Sequence, residues 1–81
     1  MSDQTIFDRI NDLSHEEEGL WRKAGESGGL DVADQQRLDI IGVELDQCFD
    51  LLHQRQARRA VGQNPDDAEA RPAEVVEGYV Q

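Results

Sequence analysis

Residues 38–52 read LDIIGVELDQCFDLL, and their apolar residues follow a helical repeat. Its apolar residues are spaced alternately three and four positions apart; they are Leu38, Ile41, Leu45, Cys48 and Leu52. That spacing places five side chains along one face of a long helix, and such a heptad seam needs a second helix to cover it. With Asp31 as N-cap and Asn64-Pro65 as the stop, the sequence predicts a helix from about 32 to about 60.

A second seam in the N-terminal part of the chain supplies the covering helix. Its apolar residues are Ile6, Ile10, Leu13, Leu20 and Ala24. Ser2 or Thr5 can cap this helix, and Gly25 favours the left-handed conformation that ends one, so the predicted range is about 3–24. Two helices joined by a turn of about six or seven residues lie antiparallel. For two residues at the same height along the hairpin, one on each helix, the residue numbers then sum to roughly 57.

The composition changes after this hairpin, which takes residues 1–62. Residues 63–81 form an acidic linker and C-terminal tail, in which Asn64 can cap a short helical turn. The end of the tail, 73–81, suits either one or two helical turns or an extended peptide. The sequence therefore predicts an all-α fold: an antiparallel, coiled-coil-like two-helix hairpin with a short tail or helical turn.

Both predicted helices carry more apolar surface than one neighbouring helix can cover. Phe7 and Trp21 stand beside the first seam, and Ile40 and Leu51 form a second ridge on the other helix. Two hairpins packed as a four-helix bundle bury this surplus, and dimerisation also compensates for the small core of so short a chain. The alternative is intramolecular, with the tail folding back over the surplus. The tail residues that suit this role are Val75, Val76, Tyr79 and Val80.

Charge and composition narrow the range of partners. Eight basic and eighteen acidic residues give a net charge of −10, which repels phosphate backbones and anionic lipids. No apolar run approaches the roughly 20 residues of a membrane span, and the N-terminus lacks a signal-peptide pattern. Cys48 is the one cysteine, which excludes an intrachain disulfide and suits a reducing compartment. We expect a cytoplasmic protein without a membrane partner.

Arg55, Arg58 and Arg59 are the one local concentration of positive charge. Near a helix C-terminus they favour the helix dipole and can pair with the acidic residues that follow. They lie in the last turns of the second helix, which extend beyond the start of the first and can reach an acidic partner or nucleic acid. Three arginines without interleaved aromatic residues are a small footprint for nucleic-acid binding.

The sequence offers no constellation for catalysis or for a cofactor. His15 and His53 lie far apart along the predicted hairpin, and Cys48 and His53 are five positions apart, which separates them on the helix surface. Cys48 also belongs to the apolar seam, where burial suppresses the reactivity of a thiol. We therefore expect no metal, no cofactor and no enzyme activity.

Three segments resemble a family of short bacterial proteins classed as a domain of unknown function. They read VELDQCFDLL at 43–52, QRQAR at 54–58 and RPAEVVEGYVQ at 71–81. The resemblance covers nearly the whole chain and implies a helical protein of the bacterial cytosol. It carries no activity, cofactor or catalytic residue to transfer.

The leading functional hypothesis is a protein–protein interaction or regulatory module built on a dimeric hairpin, which presents its arginine end and its tail to another protein. The alternative is a nucleic-acid-linked regulator that acts through the arginine end or mimics a phosphate backbone with its acidic surface. The predicted interaction residues are Phe7, Trp21, Ile40, Leu51, Arg55, Arg58, Arg59, Val75, Val76, Tyr79 and Val80.

Overall fold

The computed structural model describes residues 2–77, which form three α-helices and a short 3-10 helix. The elements in chain order are α1 (Asp3–Ser27), α2 (Val32–Ala60), the 3-10 helix (Pro65–Asp67) and α3 (Ala73–Glu77). No strand occurs within this described part of the chain. The all-α prediction is confirmed, and α2 has the bounds that its seam and caps indicate.

Short polar side chains cap the helix starts. Ser2, Asp31 and Asn64 each accept a hydrogen bond from a backbone N–H two or three residues further on. These bonds satisfy donors that the first turn of a helix leaves without an intrahelical partner. Ser2, rather than Thr5, is therefore the cap of α1.

The first helix ends three residues later than expected. Gly25 stays helical, and the chain leaves the helix at Gly28, whose φ of 86° is left-handed and whose N–H donates to the carbonyl of Ala24. Gly29, with a φ of 155°, donates to the same carbonyl at 2.8 Å. The predicted end at Ala24 is wrong because the two later glycines provide the left-handed geometry of the turn. The connection shortens to residues 28–31.

The two long helices lie antiparallel. Ion pairs between them join Arg9 to Glu44 at 2.5 Å, Glu16 to Arg37 at 2.5 Å and Lys23 to Asp34 at 2.9 Å. The two residue numbers of each ion pair add up to a value close to the sum of about 57 that is predicted for residues at the same level of the hairpin. Exposed ion pairs contribute little to stability, so their main effect is to fix the alignment of the helices.

The core is small and lies between α1, α2 and the returning tail. Its buried apolar side chains are Ile6, Leu13, Ile41, Leu51, Leu52 and Val76. Ile6 packs with Leu51 and Leu52, and Ala68 from the tail packs against this group. Part of the hairpin's apolar surface is thus covered by the chain's own C-terminal segment.

We call residues 63–77 the strap, because they turn back and run along α2. The Nε2 atom of Gln54 donates to the carbonyl of Glu69 at 2.8 Å, and that of Gln47 donates to the carbonyl of Arg71 at 3.1 Å. Side chains of α2 thereby satisfy backbone carbonyls of a segment that has little regular structure of its own.

The C-terminal end of the strap is the helix α3, which packs against α2. Val76 of α3 is buried, whereas Val75 is 41% exposed. Of the alternatives for the tail, the folded-back arrangement with a helical turn is the one observed over the described residues. Tyr79 and Val80 lie outside the described residues.

Candidate functional site

The ion pairs identify which side of the hairpin faces away from the strap. Arg9 and Glu16 lie on one side of the α1 seam, and the residues at 7, 14 and 21 lie on the other side, as helical spacing requires. On α2, Glu44 and Arg37 lie on the side of the hairpin that carries the ion pairs. Positions 38, 42, 45 and 49 lie toward the other side of the hairpin. We call this second side the open face. Its residues are Phe7, Ser14, Trp21, Leu38, Gly42, Leu45 and Phe49.

The open face leaves three aromatic side chains in contact with solvent. Phe7 and Phe49 are each 48% exposed, and Trp21 is 57% exposed. Phe7 lies level with Phe49 in the hairpin register, and Trp21 lies near the level of Leu38. Single exposed apolar residues are common on soluble proteins, whereas several large aromatic side chains on one side of a small domain are the kind of surface to examine as a candidate interaction site.

Gly42 lies midway along the open face. A Cβ atom added to it meets nothing within 4 Å, so no close approach by any of the residues 2–77 requires a glycine there. Glycine inside a helix costs about 1 kcal/mol relative to alanine. The chain thus keeps a helix-weakening residue at the centre of its exposed apolar surface, with open space in front of it.

On the other side of the hairpin, Arg55 joins the first turn of α1 to the start of the strap. The residue is only 5% exposed. The Nε atom donates to Asp3 at 2.5 Å, and the Nη1 atom donates to Asp66 at 3.0 Å and to the carbonyl of Pro65 at 3.1 Å. A buried guanidinium needs such partners for its donors. Arg59 adds a second hydrogen bond to Asp3 at 2.7 Å.

A second buried pair fixes the middle of the strap. Asp50 is 6% exposed although it is charged. It accepts hydrogen bonds from Arg71, whose Nε lies 2.9 Å from Oδ2 and whose Nη2 bonds to Oδ1, and from Gln54 at 2.9 Å. The planar guanidinium matches both carboxylate oxygens, which favours one geometry over others.

These contacts make the attachment of the strap sensitive to acid. Hydrogen bonds from Arg71 lower the pKa of Asp50, and bonds from Arg59 and Arg55 lower the pKa of Asp3. A lowered folded-state pKa stabilises the fold above the ordinary aspartate value of about 3.9, and that stabilisation is lost as the pH falls through the folded-state value.

We expect protection of the strap from hydrogen exchange to be constant from pH 7 to about pH 5 and to fall below about pH 4, because protonated Asp50 and Asp3 no longer hold the arginines. Exchange followed by mass spectrometry on peptides from residues 65–77, with rates corrected for intrinsic pH dependence, measures this. Peptides around Leu13 serve as the control and are expected to lose protection at lower pH. Equal protection of the strap at pH 6 and pH 3 would contradict the expectation.

A groove of about 410 Å³ lies between the hairpin and the strap. Its lining residues are Thr5, Ile6, Arg9, Glu44, Gln47, Cys48, Leu51 and Ala70. Cys48 is half-buried there, and this burial raises the pKa of its thiol. The polar groups at the edge are already paired, since Arg9 bonds to Glu44 and Gln47 bonds to the strap backbone.

The structure divides the predicted interaction residues into two groups. Those with exposed or half-exposed apolar side chains are Phe7, Trp21, Ile40 and Val75. Leu51, Arg55 and Val76 are buried within the chain, and their part in binding a partner stays a prediction. They are buried because the strap covers Leu51 and supplies partners for Arg55.

The arginine end is likewise less available than expected. Arg55 and Arg59 both donate to Asp3, and Arg58 donates to Gln63 at 3.5 Å. The prediction that these arginines can pair with following acidic residues holds for Arg55 and Asp66. Their positive charge is largely engaged inside the chain, which reduces its attraction for phosphate.

Sequence reasoning missed Phe49, Asp50 and Arg71. Phe49 follows the seam residue Cys48 in the sequence, and the structure leaves it 48% exposed. Asp50 stands next to Leu51 on an otherwise apolar ridge, and Arg71 is the one cation in residues 63–81. A carboxylate beside buried apolar residues and a lone cation in an acidic tail are the signal that indicates such a pair.

Two further classes of site are absent from the described part of the chain. Among residues 2–77, no three histidine, cysteine or acidic side chains come together as a metal site would require. Over the same residues, no helix combines the length and the apolar character needed to cross a membrane.

Comparison with known proteins agrees with the resemblance noted above. A family model described as "Protein of unknown function (DUF2630)" matches residues 2–81. Uncharacterized proteins of Mycobacterium bovis and Mycobacterium tuberculosis are 44% identical to this chain over 78 residues, which cover 96% of this chain and 90% of each relative. No solved structure matches the chain.

Proposed function

We propose that this chain, which belongs to the DUF2630 family of proteins of unknown function, is a non-catalytic protein–protein interaction module of the bacterial cytoplasm whose first partner is a second copy of itself. Two hairpins pack through their open faces into a four-helix bundle. The observation that carries the proposal is the row of half-exposed aromatic side chains Phe7, Trp21 and Phe49 on the side that the strap leaves uncovered.

The size of the open face suits an obligate or stable dimer. A second copy that contacts this side of the hairpin along the whole of α1, about 37 Å, and across both helices, about 20 Å, covers roughly 700 Å² on each copy. Stable protein interfaces bury about 800 Å² on each partner. A second copy also compensates for the small core, because a chain of this length has little apolar burial of its own.

The distribution of residues on the open face suits a self-complementary partner. Aromatic residues lie toward both ends, Phe7 and Phe49 at one and Trp21 at the other, and the small residues Ser14 and Gly42 lie in the middle. Two identical surfaces related by a twofold axis must fit themselves. Small residues at the centre permit the close approach of helix backbones there, which gives Gly42 a role that no contact within the chain supplies.

We expect the substitution Phe49→Asn to convert the dimer to a monomer at tens of micromolar protein, because it places an amide in the apolar interface. Ile40→Asn is the matched control: Ile40 is 49% exposed on the same helix but lies away from the open face. Light scattering behind a sizing column gives the mass of each variant, and circular dichroism establishes that each remains helical.

Trp21 provides an independent measurement, since it is the one tryptophan of the chain. Dilution of the unaltered protein is expected to shift its emission to longer wavelengths as Trp21 becomes exposed to water, whereas the Phe49→Asn variant has the shifted emission at all concentrations. A monomer mass for the unaltered chain contradicts the proposal. So does a monomer produced by Ile40→Asn and not by Phe49→Asn, because the interface then lies elsewhere.

The nucleic-acid alternative has no observation in its favour. Arg55 and Arg59 bond to Asp3, and Arg55 also bonds to Asp66 of the strap. The hypothesis that the acidic surface mimics a phosphate backbone rests on the net charge alone, and no patterned site in the described residues supports it.

A further inference from the structure

We infer that Glu17 limits the affinity of the dimer, so that two copies of the chain bind reversibly and less tightly than their apolar surface alone allows. This inference rests on the proposed dimer and names the residue that sets its strength. Two observations carry it: Glu17 lies in the apolar seam of α1, and its carboxylate has no partner among residues 2–77.

Glu17 occupies a core position of the heptad seam. It comes four residues after Leu13 and three before Leu20, which is the spacing that the rest of the seam follows. Leu13 is buried at 1% exposure, and Glu17 is half-buried. A polar residue at a core position of paired helices lowers the stability of the pairing, and it often decides which partner the helices accept.

The carboxylate of Glu17 is half-buried without a partner. Asp50 and Arg55, the charged residues that the fold buries, each bond to an oppositely charged side chain. The preceding residue, Glu16, bonds to Arg37 through both carboxylate oxygens. No hydrogen bond or ion pair joins Glu17 to any of residues 2–77. Its charge is therefore stabilised by contact with solvent on the outside of the hairpin.

The proposed dimer covers the solvent side of Glu17. Glu17 lies three residues after Ser14 and four before Trp21, so it neighbours both of these open-face residues on the helix surface. A second copy that packs on them takes the carboxylate away from water. The open face contains no lysine, arginine or histidine that could pair with it. Removing an unpaired carboxylate from water opposes association, whereas the burial of the aromatic side chains favours it.

The test compares Glu17→Gln and Glu17→Leu with the unaltered full chain. The first substitution removes the charge and keeps the size of the side chain, and the second also completes the apolar seam. Asp12→Asn is the matched control for net charge, because Asp12 is exposed and lies on α1 away from the open face. Sedimentation equilibrium gives the dissociation constant of each dimer, and circular dichroism establishes that each variant remains helical.

We expect the dissociation constant to fall by about threefold or more for Glu17→Gln and by about tenfold or more for Glu17→Leu, because neither variant brings a charge into the interface. For Asp12→Asn we expect a change within about twofold. Adding Phe49→Asn to Glu17→Leu is expected to weaken the dimer by at least about tenfold, since the tighter dimer still uses the open face.

Unchanged dissociation constants for both Glu17 variants overturn the inference and leave the proposed dimer intact. A weaker dimer does the same, because Glu17 then makes a favourable contact with the second copy. Equal tightening by Asp12→Asn overturns the inference in favour of overall charge, and a Glu17→Leu dimer that Phe49→Asn does not weaken overturns it in favour of another interface.

The mass of the unaltered chain separates this inference from the proposed dimer. If the unaltered chain and Glu17→Leu are both monomeric at tens of micromolar, the proposed dimer and the inference fail together. A monomeric unaltered chain with a dimeric Glu17→Leu variant overturns the proposed dimer of the natural chain and supports the limiting role of Glu17.

Discussion

Replacing Ile41 by alanine is expected to lower the free energy of unfolding by about 2–5 kcal/mol, the largest effect of any single substitution that we predict. Ile41 is fully buried at 0% exposure in the middle of α2. The truncated side chain leaves a cavity between the long helices, and the loss combines the transfer energy of the removed methyl groups with the cost of that cavity. A domain of this size has a total stability of about 4–12 kcal/mol, so the variant lies close to its unfolding threshold.

The neighbouring residue provides a matched control for Ile41. Ile40→Ala removes the same atoms from a side chain that is 49% exposed, and we expect a loss below about 1 kcal/mol. Urea unfolding followed by circular dichroism measures the free energy of unfolding of both variants. The protein concentration is kept the same throughout, because the stability of a dimer depends on it. Similar losses of unfolding free energy for the two variants would contradict the assignment of Ile41 to the buried seam and of Ile40 to the exposed surface.

The substitution Asp50→Ala is expected to release the strap from α2. It removes the carboxylate that accepts hydrogen bonds from Arg71 and one from Gln54, and the loss of hydrogen bonds to a buried charged group costs about 1–3 kcal/mol. Because the strap has little regular structure of its own and Val76 is its one fully buried apolar side chain among the described residues, we expect local detachment before global unfolding. Cleavage by thermolysin before Val75 and Val76 is expected to become at least tenfold faster.

Asp39→Ala is the control for Asp50, since Asp39 is an exposed aspartate on the same helix. Surface substitutions of this kind change stability by less than about 0.5 kcal/mol, so its cleavage rate is expected to match that of the unaltered chain. Unchanged cleavage of Asp50→Ala would mean that backbone hydrogen bonds and Val76 hold the strap without the ion pair.

The hairpin could be predicted from the sequence because its signals are local. Seam spacing, the Asp31 cap and the stop at Asn64-Pro65 depend on residues within a few positions of one another, and they reproduce the bounds of α2. The end of α1 was missed because several glycines compete there, and which of them takes a positive φ depends on the turn as a whole.

The strap could not be predicted to the same degree. Its attachment depends on Asp50 and Arg71, which are 21 positions apart, and on side-chain amides that bond to backbone carbonyls. Such pairs leave no periodic pattern in a sequence. The same limit applies to the open face: the surplus of apolar surface was evident, but only the path of the strap decides that Leu51 is covered while Phe49 is left exposed.

Arg55 has one more consequence for the behaviour of the chain. Through one guanidinium it holds Asp3 in the first turn of α1 and Pro65 and Asp66 at the start of the strap. Fraying of the N-terminal turn therefore removes a restraint on the C-terminal segment, and release of the segment loosens the N-terminal turn. Regions that share a contact of this kind open together rather than independently. The first turn of α1 and the start of the strap thus belong to one cooperative unit, held by a contact between Asp3 and Arg55 that lie 52 positions apart along the chain.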